Sequence, residues 1–181
     1  MIKILVPLAP GLEEIEAIAI IDILRRSGAT VVTAGLETRN ILGSHQIPII
    51  ADELLENITA SEYDGIVLPG GMPGTINLKN NDKVVALVQK FHTDGKLVAA
   101  LCAAPMVLHQ AGVLEGKKFT IHPGTKNEVP LQAENDQVVE DGNIVTGQAS
   151  GAAILFSLTL VKKIFGEKKM EEVNRGVCYK F

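Results

Sequence analysis

Short runs of apolar residues alternate along this chain with longer segments in which apolar positions recur at helical spacing. A run of about four to eight apolar residues is typical of a strand buried on both faces, and helical spacing is typical of an amphipathic helix. The predicted strands cover residues 2–8, 30–34, 64–68 and 97–101, with shorter strands at 119–121, 137–140 and 143–146. The predicted helices cover residues 13–27, 81–93, 104–112, 150–165 and 167–175, and a short hairpin is expected around 41–50.

This alternation predicts an α/β fold, a three-layer sandwich in which helices cover both faces of a mostly parallel central sheet. Ligand sites in such sheets lie beyond the carboxyl ends of the strands. Residues 9–12, residues 69–74 and Cys102 each follow a predicted strand directly, so we expect the functional site to be built from them. No linker or repeat divides the sequence, and residues 1–181 are expected to form one domain.

Composition and charge argue against several classes of function. The 181 residues carry a net charge of −4 with acidic and basic residues intermixed, which favours neither nucleic acid nor a membrane surface as partner. No apolar run has the length of a membrane span, and the first residues lack the pattern of a signal peptide. Cys102 and Cys178 lie far apart, without metal-type spacing. We therefore expect a cytoplasmic protein with reduced thiols.

Cys102 stands where a predicted strand passes into a predicted helix, and small residues (Ala100 and Ala104) lie two positions to either side. A nucleophile elbow needs this layout, because bulky neighbours clash at the sharp turn between strand and helix. The N-terminus of the following helix favours the thiolate, which is the reactive form of cysteine. The alternative is that Cys102 is a small buried hydrophobic residue at the end of a strand.

Glu16 lies on the apolar side of the first predicted helix, together with Leu12 and Ile20. A carboxyl in such a place has a raised pKa and can stay protonated, and it can then donate a hydrogen bond or a proton to a neighbouring thiolate. The alternative is that Glu16 pairs with a buried backbone group or reaches water at the edge. Glu13 and Glu14 fall in the first turn and are interpreted as helix-start charges.

Pro69-Gly70-Gly71 follows a predicted strand, and glycines there let backbone N–H groups approach a ligand or an oxidised sulfur. His122 also follows a predicted strand and is the candidate partner of Cys102. The other histidines, His45, His92 and His109, and the second cysteine, Cys178, are interpreted as structural.

The first predicted helix is apolar nearly all round, with isoleucine at positions 15, 18, 20, 21 and 23. A helix that covers one face of a sheet needs a polar outer face, so the second apolar face indicates contact with a partner chain. Asp22 and Arg26, four residues apart, are expected to pair on its surface or across that interface.

Four motifs together resemble the ThiJ/PfpI superfamily, in its DJ-1-like branch, over essentially the whole chain. They are Gly11-Leu12-Glu13-Glu14-Ile15-Glu16, Leu68-Pro69-Gly70-Gly71, Ala100-Leu101-Cys102-Ala103-Ala104-Pro105 and Thr120-Ile121-His122-Pro123. The resemblance implies a flavodoxin-like, class I glutamine amidotransferase-like sandwich, and a homodimer that the apolar helix at 13–27 is expected to join. It also implies the site residues: Cys102 as nucleophile and redox-sensitive thiol, Glu16 as its protonated partner, His122 as the nearby imidazole, and the backbone N–H groups of Gly71 and Ala103 as the anion pocket.

The activities that the resemblance implies are a glyoxalase without cofactor or metal, protein deglycation, redox-regulated chaperone action and protection from oxidative stress. The expected substrate is a small aldehyde or dicarbonyl, or a glycated protein. A non-catalytic redox sensor or chaperone, and more distantly a peptidase, remain the alternatives. The sequence departs from the branch at His45 and Gln148, where the human-like members carry arginine, and Ala149-Ser150-Gly151-Ala152 replaces a Gly-Pro-Gly-Thr turn.

Overall fold

The structure, a computed structural model, describes residues 1–180. Its strands are β1 (Lys3–Leu8), β2 (Thr30–Gly35), β3 (Asn40–Leu42), β4 (Pro48–Ile50), β5 (Glu53–Leu54), β6 (Gly65–Leu68), β7 (Leu97–Leu101), β8 (Val138–Asp141) and β9 (Ile144–Gly147). Its α-helices are α1 (Glu14–Arg26), α2 (Gly74–Lys79), α3 (Asp82–Thr93), α4 (Pro105–Gln110), α5 (Ala153–Phe165) and α6 (Glu167–Val177). Short 3-10 turns lie at Leu55–Asn57, Ala60–Glu62, Pro123–Glu128 and Ser150–Ala152.

The central sheet has the strand order β5-β2-β1-β6-β7-β9-β8. All of its neighbours pair in parallel except β8 and β9, which are antiparallel, and β3 and β4 form a separate antiparallel hairpin. The chain moves outward from β1 in one direction to β2 and in the other direction to β6. The carboxyl ends of β1 and β6 therefore border the position where the strand order reverses, which is where open α/β sheets bind ligands.

Helices cover both faces of this sheet, and the core has two halves. On one face α1, α5 and α6 pack over residues such as Ile4, Val6 and Val67. On the other face α2, α3 and α4 pack over residues such as Leu5 and Val98. Because successive strand residues point to opposite faces, one apolar run such as β1 supplies both halves. The predicted three-layer, mostly parallel sandwich is confirmed.

The strands and helices predicted from the apolar pattern are present, with ends that differ by a few residues, and one exception. The predicted strand at 119–121 is wrong, because this segment makes only an isolated bridge between Thr120 and Glu134. The outer edge of β9 already pairs with β8, so no sheet edge is left beside it for another strand. The Thr120 backbone N–H instead donates to the Thr146 hydroxyl at 2.9 Å.

Two short elements, β5 and α2, were not predicted, since two to six residues carry too little periodicity. Among the helices of residues 1–180, none has the length and apolar content needed to cross a membrane.

Candidate functional site

Cys102 occupies a sharp turn at the carboxyl end of β7. Its φ angle of 62° lies in the left-handed region, which is uncommon for residues other than glycine. The turn is held from both sides, because the Cys102 backbone N–H donates to the Gly147 carbonyl and the Cys102 carbonyl accepts from the His122 N–H, each at 2.9 Å. Ala103 and Ala104, the two residues that follow it, are almost fully buried. This local geometry presents the half-buried side chain beyond the end of the sheet.

Glu16 is completely buried on the inner face of α1. Its Oε2 atom accepts a hydrogen bond of 2.8 Å from the Gly70 backbone N–H, and its Oε1 atom lies 2.7 Å from the Ser150 hydroxyl. The carboxyl also forms a hydrogen bond with the Cys102 side chain. The helix α1 and the turn after β7 thus bring an acid and a thiol, 86 positions apart in the sequence, into direct contact.

The backbone at Gly70 and Gly71 closes on this pair. A Cβ atom at Gly70 would lie 2.7 Å from the Glu16 Oε2 atom and 2.8 Å from the Cys102 Cβ atom, so only glycine fits there. Gly71 has a φ angle of 97°. The backbone N–H groups of Gly71 and Ala103 both form hydrogen bonds with the Cys102 side chain. Two N–H donors and one carboxyl therefore converge on the sulfur.

The thiol and the carboxyl compete for one negative charge. Burial raises the pKa of the Glu16 carboxyl. Burial, the negative charge of an ionised Glu16 and its hydrogen bond raise the pKa of the Cys102 thiol to about 12, and the Ala103 and Gly71 N–H groups act against this. With Glu16 ionised, the pKa of the Cys102 thiol is thus raised, whereas the N-terminus of the following helix was expected to lower it. Strongly interacting groups of this kind titrate as a pair.

His122 lies across a small cavity from this pair. The cavity has a volume of about 230 Å³ and is lined by Gly71, Met72, Cys102, Ala103, His122, Gly124 and Thr125. The His122 Nδ1 atom accepts a hydrogen bond of 3.0 Å from the Gly124 backbone N–H, so the proton of the neutral ring is on Nε2. Larger cavities lie elsewhere, including one of about 520 Å³ at the amino ends of β1, β6 and β7, but Cys102 lines none of them.

Glu14 binds the hairpin loop through its carboxylate. Its side chain is buried, and its Oε1 atom accepts hydrogen bonds from the His45 and Ile47 backbone N–H groups at 2.8 and 3.3 Å. Burial opposes ionisation, but hydrogen bonds from backbone N–H groups and from the His45 ring lower the pKa of Glu14 to about 2. Glu14 is a charge in the first turn of α1, as predicted, and the structure adds that its carboxylate anchors the hairpin loop to α1.

The two positions at which the chain departs from the DJ-1-like branch use their side chains locally. His45 contacts the Glu14 Oε2 atom through Nδ1 at 3.1 Å, and Gln148 donates to the Asn135 Oδ1 atom at 3.2 Å. Glu13, Glu14 and His45 bring possible metal-ligand atoms within 4.8 Å of one another. Since both Glu14 oxygens already accept hydrogen bonds, this cluster is accounted for as a loop anchor.

The outer face of α1 carries large apolar side chains in contact with solvent. Ile15 is 62% exposed and Ile18 is 49% exposed. They border a groove of about 420 Å³ that also includes Ile154 and Val177. The predicted pair of Asp22 and Arg26 is present along the edge of this groove, with an N···O distance of 2.7 Å.

The sequence left open that Glu16 pairs with a buried backbone group, which the structure identifies as the Gly70 N–H, but sequence reasoning missed Ser150 as a partner of Glu16. The only sequence signal for Ser150 is a hydroxyl residue in the turn that follows β9, at the carboxyl edge of the sheet. Such a signal is weak, because Ser is common in any turn.

Comparison with known proteins places these motifs in one family. The model of the DJ-1/PfpI family matches residues 2–163. "Protein DJ-1 homolog A" of Arabidopsis thaliana is 43% identical over 176 residues, which are 94% of this chain and 45% of that protein, so the chain spans less than half of that relative's length. A protein of Pyrococcus horikoshii named a deglycase is 34% identical, over 81% of this chain and 89% of that protein.

Solved structures agree with this assignment. The oxidised DJ-1 of Toxoplasma gondii is 34% identical and superimposes with a TM-score of 0.95, with 100% of both chains covered. The match of the family model to most of the chain, the sequence identities and the shared fold lead to one conclusion: this chain is a member of the DJ-1/PfpI family.

Proposed function

We propose that this protein is a cysteine-dependent glyoxalase or deglycase that acts on small reactive dicarbonyls, or on their adducts with proteins, without a cofactor. The observation that carries the proposal is the convergence on the Cys102 sulfur of one buried carboxyl, from Glu16, and two backbone N–H groups. A nucleophile and an anion site that line one small cavity, with a proton carrier buried against the nucleophile, are what carbonyl addition and proton transfer require. We expect the protein to act against carbonyl or oxidative stress in the cytoplasm.

The proposal requires that the proton of the pair reside on Glu16. Burial disfavours the ionised carboxyl, and a neutral Glu16 no longer repels a thiolate. A neutral carboxyl also donates its hydrogen bond to the sulfur instead of accepting one. The Gly71 and Ala103 N–H groups then stabilise the thiolate without opposition.

In the first step the Cys102 thiolate adds to the aldehyde carbon of a dicarbonyl such as methylglyoxal. A C–S bond forms, and the carbonyl π-electrons move to oxygen. Glu16 gives its proton to that oxygen, which yields a neutral hemithioacetal and a Glu16 carboxylate. The Gly71 and Ala103 N–H groups lie where they stabilise the negative charge that passes through the site.

In the second step the Glu16 carboxylate removes the proton from the former aldehyde carbon and returns it to the neighbouring carbonyl carbon. The hydroxyl proton moves to the neighbouring oxygen, so the product is a thioester of lactate. His122 presents Nε2–H as a donor for the oxygen that becomes negative in between. Water then hydrolyses the thioester, and the thiol proton returns to Glu16, which restores the starting pair.

The size of the cavity and one relative's name support a small carbonyl substrate. At about 230 Å³ the cavity is smaller than the roughly 300–1,000 Å³ of common ligand pockets, which suits a molecule of a few heavy atoms. The Pyrococcus horikoshii relative is named a deglycase.

The test is lactate formation from methylglyoxal without glutathione. We expect the wild type to form lactate, Cys102→Ser to lose at least about 10³-fold in kcat/KM, and Cys178→Ser to match the wild type. Cys178 is the matched control because it is the other thiol of the chain and caps the end of α6, away from the cavity. Equal lactate formation by Cys102→Ser and the wild type contradicts the proposal.

A redox sensor is the second candidate, and the same N–H groups favour it. Peroxide transfers one oxygen to a thiolate, which becomes a sulfenate while peroxide becomes water, and a second equivalent gives a sulfinate and a second water. The Gly71 and Ala103 N–H groups are placed to bind the added oxygens. Mass spectrometry after peroxide treatment is expected to find oxidation of Cys102 before that of Cys178. Oxidation of Cys178 first argues against a tuned sensor thiol.

A homodimer through α1 is also part of this proposal. The exposed Ile15 and Ile18, with the apolar groove beside them, form a surface that a second copy of the chain would cover. We expect a dimer in analytical ultracentrifugation, and we expect Ile18→Glu to shift it to monomer, because a charge in an apolar interface is costly. Glu37→Lys, a change at an exposed position elsewhere, is the control. A wild-type monomer contradicts this part alone.

A further inference from the structure

The turn that follows His122 directs a backbone N–H group at the side chain of His122 itself. His122 immediately precedes the 3-10 turn at Pro123–Glu128, and its Nδ1 atom accepts a hydrogen bond of 3.0 Å from the Gly124 backbone N–H. We propose that Gly124 is a positioning residue that keeps His122 a neutral hydrogen-bond donor, which binds a carbonyl oxygen of the substrate and leaves the thiol proton to Glu16. This inference rests on the proposed function, because it assigns a role within that reaction.

The backbone of His122 is fixed relative to the nucleophile. Its N–H donates to the Cys102 carbonyl at 2.9 Å, and its carbonyl accepts from the Thr125 N–H at 2.9 Å and from the Thr125 hydroxyl at 3.1 Å. The ring packs against Gly124, since a Cβ atom at that position would lie only 3.1 Å from the His122 Nδ1 and Cε1 atoms. Backbone and ring are thus both held, and what remains to be fixed is which ring nitrogen carries the proton.

The Gly124 N–H determines the position of that proton. A neutral imidazole has one donor and one acceptor nitrogen, and a backbone N–H can only donate. Nδ1 is therefore the acceptor, and Nε2 carries the proton. An imidazolium has N–H groups at both nitrogens, so protonation of the ring would break this hydrogen bond and place two N–H groups against each other.

The other ring nitrogen is left free for a ligand. Among residues 1–180, the His122 Nε2 atom makes no hydrogen bond and keeps contact with solvent. His122 lines the same cavity as Cys102. A donor that is fixed before the substrate arrives stabilises charge on a carbonyl oxygen without a further cost of reorientation. We therefore expect Nε2–H to bind the substrate oxygen that becomes negative during the reaction.

The same arrangement argues against His122 as the base that ionises Cys102. A general base must present an acceptor atom to the proton that it removes. The acceptor nitrogen of His122 is occupied by Gly124, and within residues 1–180 no hydrogen bond joins the ring to the Cys102 sulfur. The sulfur instead contacts the Glu16 carboxyl. The two side chains then have separate tasks, because Glu16 carries the proton and His122 binds oxygen.

Nuclear magnetic resonance of protein labelled with the magnetic isotope of nitrogen tests the hydrogen bond directly. An N–H···N hydrogen bond produces a scalar coupling between its two nitrogens, so we expect a coupling between the Gly124 amide nitrogen and His122 Nδ1, with the ring proton on Nε2. His45 is the internal control, because its Nδ1 atom lies 3.1 Å from the Glu14 Oε2 atom, an oxygen, and no such coupling is expected there. Absence of the Gly124 coupling, or a proton on His122 Nδ1, overturns the inference.

Two substitutions of His122 separate a donor from a base. Glutamine places an amide NH2 group near the position of Nε2 and cannot act as a base, whereas asparagine reaches only as far as Nδ1. We expect His122→Gln to keep kcat/KM for lactate formation from methylglyoxal within about tenfold of the wild type. We expect His122→Asn to lose about 10²–10³-fold, which is the effect of one missing donor to an oxyanion.

A titration of the Cys102 thiolate by ultraviolet absorbance, in a Cys178→Ser parent so that one thiol is read, gives a second measurement. The midpoint is expected to agree within about half a pH unit between the parent and His122→Gln, because a neutral amide replaces a neutral ring. A midpoint raised by more than this is the result of a base or an imidazolium beside the thiolate, and it overturns the inference.

Equal losses of kcat/KM in His122→Gln and His122→Asn also overturn it. Thermal unfolding of each variant shows that folded protein is being assayed. The wild type separates this inference from the proposed function. If the wild type forms no lactate, both fail; if it forms lactate and glutamine does not replace the imidazole better than asparagine does, this inference alone fails.

Discussion

Glu14 and Glu16 are two buried carboxyls in the same turn of the same helix, and their surroundings push their pKa values in opposite directions. Glu14 is 5% exposed and Glu16 is fully buried. The pKa of Glu14 falls to about 2, whereas the pKa of Glu16 is raised. Burial opposes ionisation of both, so the hydrogen-bond donors around each carboxyl must account for the difference.

The hairpin loop surrounds Glu14 with donors. The His45 and Ile47 backbone N–H groups donate to Oε1, and the His45 ring lies against Oε2. Glu16 has one backbone N–H and one hydroxyl, and its third neighbour, Cys102, is a group that itself seeks a negative charge. Several donors favour the ionised form of Glu14, and the smaller number of donors around Glu16 favours its protonated form.

The comparison separates structure from chemistry on one helix. A carboxylate that is always ionised holds a loop in place but cannot transfer a proton. A carboxyl that stays protonated can transfer a proton, and keeping it buried lowers the stability of the folded protein. The changes below test this division, from the largest expected effect to the smallest.

The first change is Glu16→Gln, compared with Glu14→Gln. An amide at position 16 fits the same space but supplies no transferable proton, so kcat/KM for lactate formation from methylglyoxal is expected to fall about 10²–10⁴-fold. Glu14→Gln is expected to stay within a few-fold of the wild type at a temperature where it is folded. Similar losses in the two variants would remove the distinction between the carboxyls.

The second change is the reverse experiment on stability. Glu14→Gln weakens charge-assisted hydrogen bonds to two backbone N–H groups and to His45, so it is expected to lower the free energy of unfolding by about 2 kcal/mol. Urea denaturation measures this, and Glu37→Gln at an exposed position is the control. A loss no larger than the control's means that the hairpin loop does not depend on Glu14.

The third change is pH. The pKa of Glu14 is lowered from 4.5 to about 2, so its contribution to stability is present above pH 4.5 and disappears as pH falls toward 2. The pKa of Glu16 is raised from 4.5, so its contribution is present below pH 4.5 and disappears as pH rises above it. We therefore expect the wild type to lose its advantage over Glu14→Gln in acid, and to lose stability relative to Glu16→Gln as pH rises. If the curves of stability against pH run parallel for the wild type and both variants, the opposite pKa shifts of Glu14 and Glu16 are contradicted.

The smallest effect is expected at Asp22, a third acid on the same helix. Its side chain is 52% exposed and pairs with Arg26 at 2.7 Å. An exposed pair at this spacing contributes about 0.3–0.5 kcal/mol, and salt screens it. Asp22→Asn should lower the unfolding free energy by no more than this, and less in 1 M salt. A larger loss would show that solvent exposure does not determine how much an acidic side chain on α1 contributes to the free energy of unfolding.

Much of the site follows from local pattern. Cys102 stands out because alanines flank it between an apolar run and a helix, and the structure indeed places it in a turn with a φ angle of 62°. Glu16 stands out as an acid among apolar positions, and it is fully buried. Both signals lie within a short segment of chain, so the local sequence pattern reveals them.

Other features depend on residues far apart in sequence. Ser150 reaches Glu16 across 134 positions, and Glu14 binds a loop about 30 residues away. The segment at 119–121 has the composition of a strand, yet β8 already occupies the edge of β9. No local pattern shows which distant segment will contact a buried side chain or pair with a sheet edge.

The sequence by itself determined the α/β class, the faces of the helices, and the identity of the thiol and the carboxyl, because these depend on the order of apolar and polar residues along short segments. Only the tertiary structure decided that two acids of one helix should have opposite pKa shifts. Periodicity places both carboxyls out of water, but their ionisation depends on donors that other segments supply, and that supply is set when the hairpin loop, the Gly70 turn and the Ser150 turn pack against α1.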